Sequence, residues 1–231
     1  MIEYIPILTT LFSVYFLTVI YKHWQSNPKP YLLWWTLGVF TFRFGTATES
    51  INVLFGWSEW NFRLWYISGA LLGGFPLAQG SVYLLMNKRF GDISSVLLMG
   101  VVVTGAVCVL GSPILLPENF DQTLGGKILS WQWVRYFSPF INLYSFIFLV
   151  GGAVYSAVRY YRQENKQGRF LGNVLIAVGA LLPGIGGSFT RMGYVNVLFV
   201  TELIGLVCIY MGYQIIKQDR SVSIHTVQVN G

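Results

Sequence analysis

Residues 31–55, YLLWWTLGVFTFRFGTATESINVLF, and 62–86, FRLWYISGALLGGFPLAQGSVYLLM, are two long apolar segments joined by the short turn Gly56-Trp57-Ser58-Glu59-Trp60-Asn61. Each is long enough to cross a bilayer as a helix, which takes about 20 residues. The first carries Arg43 and Glu49, and the second opens with Arg63. Inside lipid such groups are costly and need partners. This pair decides the reading of the whole chain: helices in a membrane, with a few polar groups that the bundle must accommodate.

The rest of the sequence agrees. Of 231 residues 54% are hydrophobic and only 10% charged, against roughly 25% charged in soluble domains. By length and hydropathy the chain predicts an all-α integral membrane protein with seven spans, at about 4–22, 31–55, 62–86, 93–112, 133–158, 170–190 and 195–216. The tail from 218 to 231 is too short for a signalling domain. Met1-Ile2-Glu3 lacks a basic region before the first apolar segment, so that segment reads as a first helix with its N-terminus outside. Lys22 and Lys29, Lys88 and Arg89, the stretch Arg159 to Arg169, and Lys217 with Arg220 all fall on one side of this arrangement. Cationic loops face the cytoplasm, which puts the C-terminus inside and implies a bacterial inner membrane with lipid as the surrounding partner. Trp57, Trp60, Trp65, Trp131 and Trp133 mark the outer boundary, and Trp24, Tyr160 and Tyr161 the inner one, where amphipathic rings prefer to sit. The longest loop, 113–132, lies outside, and its Leu124-Gly125-Gly126-Lys127 reads as flexible.

Spans one to three and five to seven share an orientation, and Ala70-Leu71-Leu72-Gly73 and Gly80 align at one offset with Glu202-Leu203-Ile204-Gly205 and Gly212. That pattern suggests a 3+1+3 parallel repeat, an arrangement common in transporters.

Depth below the outer boundary follows from 1.5 Å rise per residue. Arg43 falls at roughly 16–18 Å, Glu49 at about 8 Å and Glu202 at about 10 Å, with Ser68 and Asn142 at roughly 10–13 Å. Arg63 and Arg191 sit near the outer rim. In span six, Leu181-Leu182-Pro183-Gly184-Ile185-Gly186-Gly187-Ser188 is poorly suited to continuous helix, because proline lacks a backbone donor and glycine adds freedom. A helix opened at Pro183, Gly184, Gly186 and Gly187 would expose backbone groups beside Glu202, as discontinuous helices do in transporters. The expected ligand- or ion-binding layer is therefore Glu202, Glu49, Arg43, Arg63, Ser68 and Asn142 with these four span-six residues. Glu49 and Glu202 would bind or carry a proton, and Arg43 and Arg63 would tune them or hold an anion. The plainer alternative is a set of interhelical pairs, Glu49 with Arg63 and Glu202 with Arg43 or Arg191.

Other chemistry is unsupported. Two histidines, His23 and His225, do not give matched haem ligands. The sequence has no metal-spaced cluster, phosphate loop or nucleophile elbow, and no basic face for nucleic acid. No cofactor is expected, and an enzymatic role has no catalytic set behind it. Cys108 and Cys208 read as small apolar core residues.

Seven helices with Arg63-Leu64-Trp65-Tyr66 in span three and Glu202 in span seven resemble the microbial rhodopsin architecture. The resemblance stops at the chromophore, because Lys217 lies at the end of span seven and leaves no interior amine for a retinal Schiff base. The 3+1+3 sugar and vitamin transporters share the topology without a shared motif. The sequence thus points to a polytopic protein that binds, and in the stronger version transports, a small ligand or ion. An accessory subunit of a larger membrane complex, with a protein partner in the bilayer, is the alternative, followed by a sensor with a separately encoded partner.

Overall fold

The structure, a computed structural model, describes residues 2–118, 120, 122–163 and 166–229, with the side chains of 191 and 220–229 excluded. Arg191, Arg220 and His225 as side chains, and Asp121 altogether, therefore lie outside the described residues.

In a solvent without hydrogen bonds the backbone must satisfy itself, and a helix does so within one segment. The chain is helical almost throughout. A short turn at Ile2–Tyr4 leads into α1 (Ile5–Ser26), followed by α2 (Pro30–Phe55). The third rod has three parts: α3 (Glu59–Trp65), a π turn (Tyr66–Leu71) and α4 (Phe75–Leu85). Next come α5 (Lys88–Gly111) and then a rod made of α6 (Phe137–Ser145), a π turn (Phe146–Gly151) and α7 (Gly152–Tyr161). The last two helices are α8 (Gln167–Arg191) and α9 (Val195–Val229), so the expected tail continues the last helix. No strand occurs among the described residues; Ile114 and Leu129 form one isolated antiparallel bridge.

Local chemistry sets the ends. Pro30 opens α2, where its missing N–H costs nothing. Gly56, at φ 80°, closes it in the region that favours glycine. Ser58 caps α3 by accepting from Asn61 N, and Asn87 caps α5 by accepting from Phe90 N at 2.8 Å.

Five helices are long and apolar enough to cross a membrane: Ile2–Ser26, Lys88–Gly111, Gln132–Tyr161, Gln167–Thr190 and Val195–Asp219. They mark an integral membrane protein in contact with lipid. Their outward faces are apolar; on α5, Val96 is 73% and Val107 63% exposed. The other two rods, α2 and α3–α4, fall short for reasons that matter below. In α2 Thr46, Thr48, Glu49 and Ser50 are all buried and lower its hydropathy. In the third rod the helix opens at Leu72–Gly74, so neither part is long enough.

That opening corrects an expectation. The sequence places a weak point in span six, yet α8 runs unbroken through Pro183. Proline frees the carbonyl four residues earlier, and that carbonyl, on Gly179, lies against Gly205 of α9: a Cβ on Gly205 would come within 2.6 Å of it. Gly172 stands in the same relation to Gly212, and Gly186 to Leu198 and Thr201. The three α8 glycines are seven residues apart and so form one stripe, which lets two antiparallel backbones touch. In the third rod, Leu72 N instead reaches back five residues to Ile67 O at 3.0 Å, and Pro76 offers no donor to resume the pattern. Gly205→Val is therefore expected to lower thermal stability in detergent by about 1–3 kcal/mol through overpacking. Gly184→Ala, whose new methyl meets nothing within 4 Å, is expected to change it little.

Two apolar clusters organise the interior. One joins Phe16 and Ile20 of α1, Val39 of α2, and Leu206 and Tyr213 of α9. The other joins Phe62, Tyr66, Leu71 and Phe75 of the third rod with α5 and the loop before α6. Leu124, Ile128 and Leu129 of that loop are buried, and Gly126–Ile128 forms a 3-10 turn. The stretch that reads as flexible is packed as a cap on one end of the bundle.

Candidate functional site

Beneath the cap lies a cavity of about 600 Å³, bounded by α2, the third rod, α6, the following π turn, α8 and α9. Its walls are mainly apolar, with Val39 and Phe42, Leu77, Leu149, Leu198 and Leu206. Pro117, Phe120 and residues 123–128 close the capped end, with Arg135 beside them donating to Gln132 Oε1 at 2.7 Å.

Two carboxyls meet in this wall. Glu49 of α2 is 3% exposed, and its Oε1 accepts from Trp65 Nε1 at 3.0 Å. Glu202 of α9 lies within hydrogen-bonding reach of it. The second oxygen of each, Oε2, is buried and has no hydrogen-bond donor among the described residues. Such orphaned acceptors are rare in folded proteins because each costs desolvation without return. Carboxyl oxygens in an apolar chamber can accept from a donor-bearing guest, hold a cation or carry a proton. Among the described residues no group of three or more His, Cys, Asp or Glu comes together.

The structure brings Glu49, Glu202, Ser68, Asn142, Pro183, Gly184 and Gly187 into this one wall. Ser68 Oγ donates to Leu64 O at 2.7 Å. Three expected members stand elsewhere. Gly186 is packed on Leu198 and Thr201. Arg43 does not line the cavity; it shares a helical stripe with Thr46 and Ser50, which bond Thr10 of α1.

Arg63 is 6% exposed and wholly engaged. Its guanidinium donates to the carbonyls of Val109, of Leu110 at 2.9 Å and of Ser112 at 2.9 Å, and to Glu59 Oε1 at 2.6 Å. It clamps the end of α5, where unpaired carbonyls collect and a cation is favoured. The pairing of Glu49 with Arg63 is thus replaced by Glu49 with Trp65 and Arg63 with Glu59. Among the described residues neither Glu49 nor Glu202 has an ion-pair partner.

Compared with models of known protein families, with curated proteins and with solved structures, the chain matches none. Its chemistry rests on its own residues.

Two contributors escaped the sequence reading. Trp65, expected in the interfacial belt, is buried as the donor to Glu49. A second polar knot sits on the opposite side of α4. There Gln79, fully buried, donates to Gly91 O and Ser94 Oγ and accepts from Tyr144 at 2.7 Å. A lone amide in an apolar run was the available signal for it. The knot is fully satisfied and ties α4 to α5 and α6.

Proposed function

We propose that this chain is a seven-span membrane protein that binds a small ligand or ion at the Glu49–Glu202 pair, in the outer half of a bacterial inner-membrane bundle. One observation carries the reading: Glu49 and Glu202, from helices far apart in sequence, line one chamber large enough for a guest, and each has a buried carboxyl oxygen with no donor among the described residues. Ligand pockets of several hundred Å³ with apolar walls and few polar groups are the usual form of such sites. Basic residues gathered at the end opposite the cap support the outside placement of the chamber. Transport is the extended form of the proposal, with the opened third rod and the α8–α9 pair as the parts that move relative to one another.

The test is mass spectrometry of the protein gently extracted from its native membrane, with bound small molecules identified. A specific small molecule retained by the native protein and lost from Glu202→Gln is the expected result. A second membrane protein in stoichiometric amount, with no retained small molecule, would replace this reading with that of an accessory subunit.

A further inference from the structure

The cavity wall has two stretches that are at once part of the chamber and part of the molecular surface. On α6 and the π turn after it these are Pro139, Asn142 and Phe146; on α8 they are Leu181, Gly184 and Ser188. Each set is spaced i, i+3, i+7, a single helical stripe. Two facing stripes that line a cavity and are also exposed are the edges of a side opening. Each edge is about 10 Å long, about a third of the hydrocarbon thickness of a bilayer. Its surroundings are apolar and exposed: Phe140 (72%) and Leu143 (57%) on one side, Ile185 (40%) and Phe189 (41%) on the other. Further along, α8 packs against the π turn and α7, so the gap is confined to the half of the bundle that carries the carboxyls.

We infer that the ligand reaches Glu49 and Glu202 sideways from the bilayer through this gap, and that it is a small amphipathic amine. This rests on the carboxyl pair being the binding site. The opening meets hydrocarbon rather than water, so what passes through it must partition into lipid. Inside, apolar walls accept a chain or ring system, while the two acids offer acceptors that have no donor among the described residues, and the lining cations Lys127 and Arg135 stand at the capped end. A protonated amine supplies both the donors and the charge. Gly184 and Gly187 keep the gap open, since a Cβ on either meets nothing within 4 Å.

The experiment uses the full chain in phosphatidylcholine nanodiscs and three photolabels of equal length: an alkylamine, an alkyl alcohol and an alkyl carboxylate, each with a diazirine in its chain. Labelled peptides are mapped by mass spectrometry. The amine is expected to label the cavity, Leu77 and Leu206 included, at least about tenfold more than the carboxylate, the scale of a charge-assisted hydrogen bond. Glu202→Gln should bring it down to the level of the alcohol. Gly184→Phe, which fills open space, should abolish cavity labelling while labelling of the outer face of α5 persists; Ser188→Phe serves if that variant is unstable. Equal labelling by all three probes overturns the amine. Undiminished cavity labelling in the filled variants overturns the side route while leaving the site intact. Amine labelling indifferent to Glu202→Gln overturns the site itself.

Discussion

Arg63→Gln is expected to destabilise the fold by about 3–5 kcal/mol, the range seen when one member of a buried ionic network is removed. The guanidinium is buried and spends its donors on three carbonyls at the end of α5 and on Glu59. Glutamine is shorter and its amide has two N–H donors, so at least two of those four acceptors lose theirs, at about 1–3 kcal/mol each where water cannot reach. Arg63→Lys should fall between, because a compact ammonium cannot span a fork of acceptors. Glu59→Gln should matter least, under about 1 kcal/mol, since Glu59 is half exposed and its pair with Arg63 is a single-turn contact. Denaturation of detergent-solubilised protein ranks the three. Equal losses for Arg63→Gln and Glu59→Gln would mean that the ion pair, not the carbonyl clamp, is what Arg63 provides.

The clamp also bears on the site. Ser112, whose carbonyl Arg63 holds, accepts on its own Oγ from Trp131 N at 3.1 Å and so ties down the cap from both ends. Loss of Arg63 should loosen the loop that closes the cavity as well as the helix that precedes it.

Much of the fold was legible because hydropathy contrast is a one-dimensional signal. The segments read as 31–55 and 170–190 appear as Pro30–Phe55 and Gln167–Arg191. What a linear reading supplies is depth, and depth alone put Arg43, Arg63, Glu49 and Glu202 in one layer. Azimuth separates them. Six residues on a helix rotate the side chain by about 120° from its starting face, which sends Arg43 toward the α1 stripe while Glu49 turns inward. The Glu59–Arg63 contact was within reach of the sequence, being four residues apart on one helix. Reading Arg63 as a partner for a membrane-buried acid passed over that nearer carboxylate.

The misplaced helix break has a comparable cause. Pro183 among glycines has the composition of a broken helix, but whether a freed carbonyl opens a helix depends on what lies against it. Gly205, twenty-two residues on, is what lies there. The same glycines that signalled weakness in isolation are the contact surface of a tightly paired α8 and α9. No local window contains both halves of that contact. By contrast Leu72-Gly73-Gly74-Phe75-Pro76, with no such partner stripe, is where the backbone departs from α-helix.

The two acids of the site are expected to respond differently to loss of their carboxyls. Glu202→Leu should raise the stability of the ligand-free protein by about 1–3 kcal/mol, because it removes a buried acceptor that has no donor among the described residues and replaces it with apolar surface in an apolar wall. Glu49→Leu removes an orphaned oxygen as well, but it also strands the indole N–H of Trp65, which Glu49 Oε1 accepts at 3.0 Å. A buried donor left unpaired costs about as much as the orphaned acceptor did, so its net effect should lie near zero or be destabilising. Glu49→Gln, which keeps an acceptor for Trp65, separates the two contributions. Because the carboxyls are in contact, the double variant should depart from the sum of the singles. Both Leu variants should abolish binding of the amine probe. Gain of stability with loss of binding at Glu202 is what a residue kept for a guest does. A loss of stability at Glu202 equal to that at Glu49 would make it a packing residue and would remove the reason for placing a ligand there.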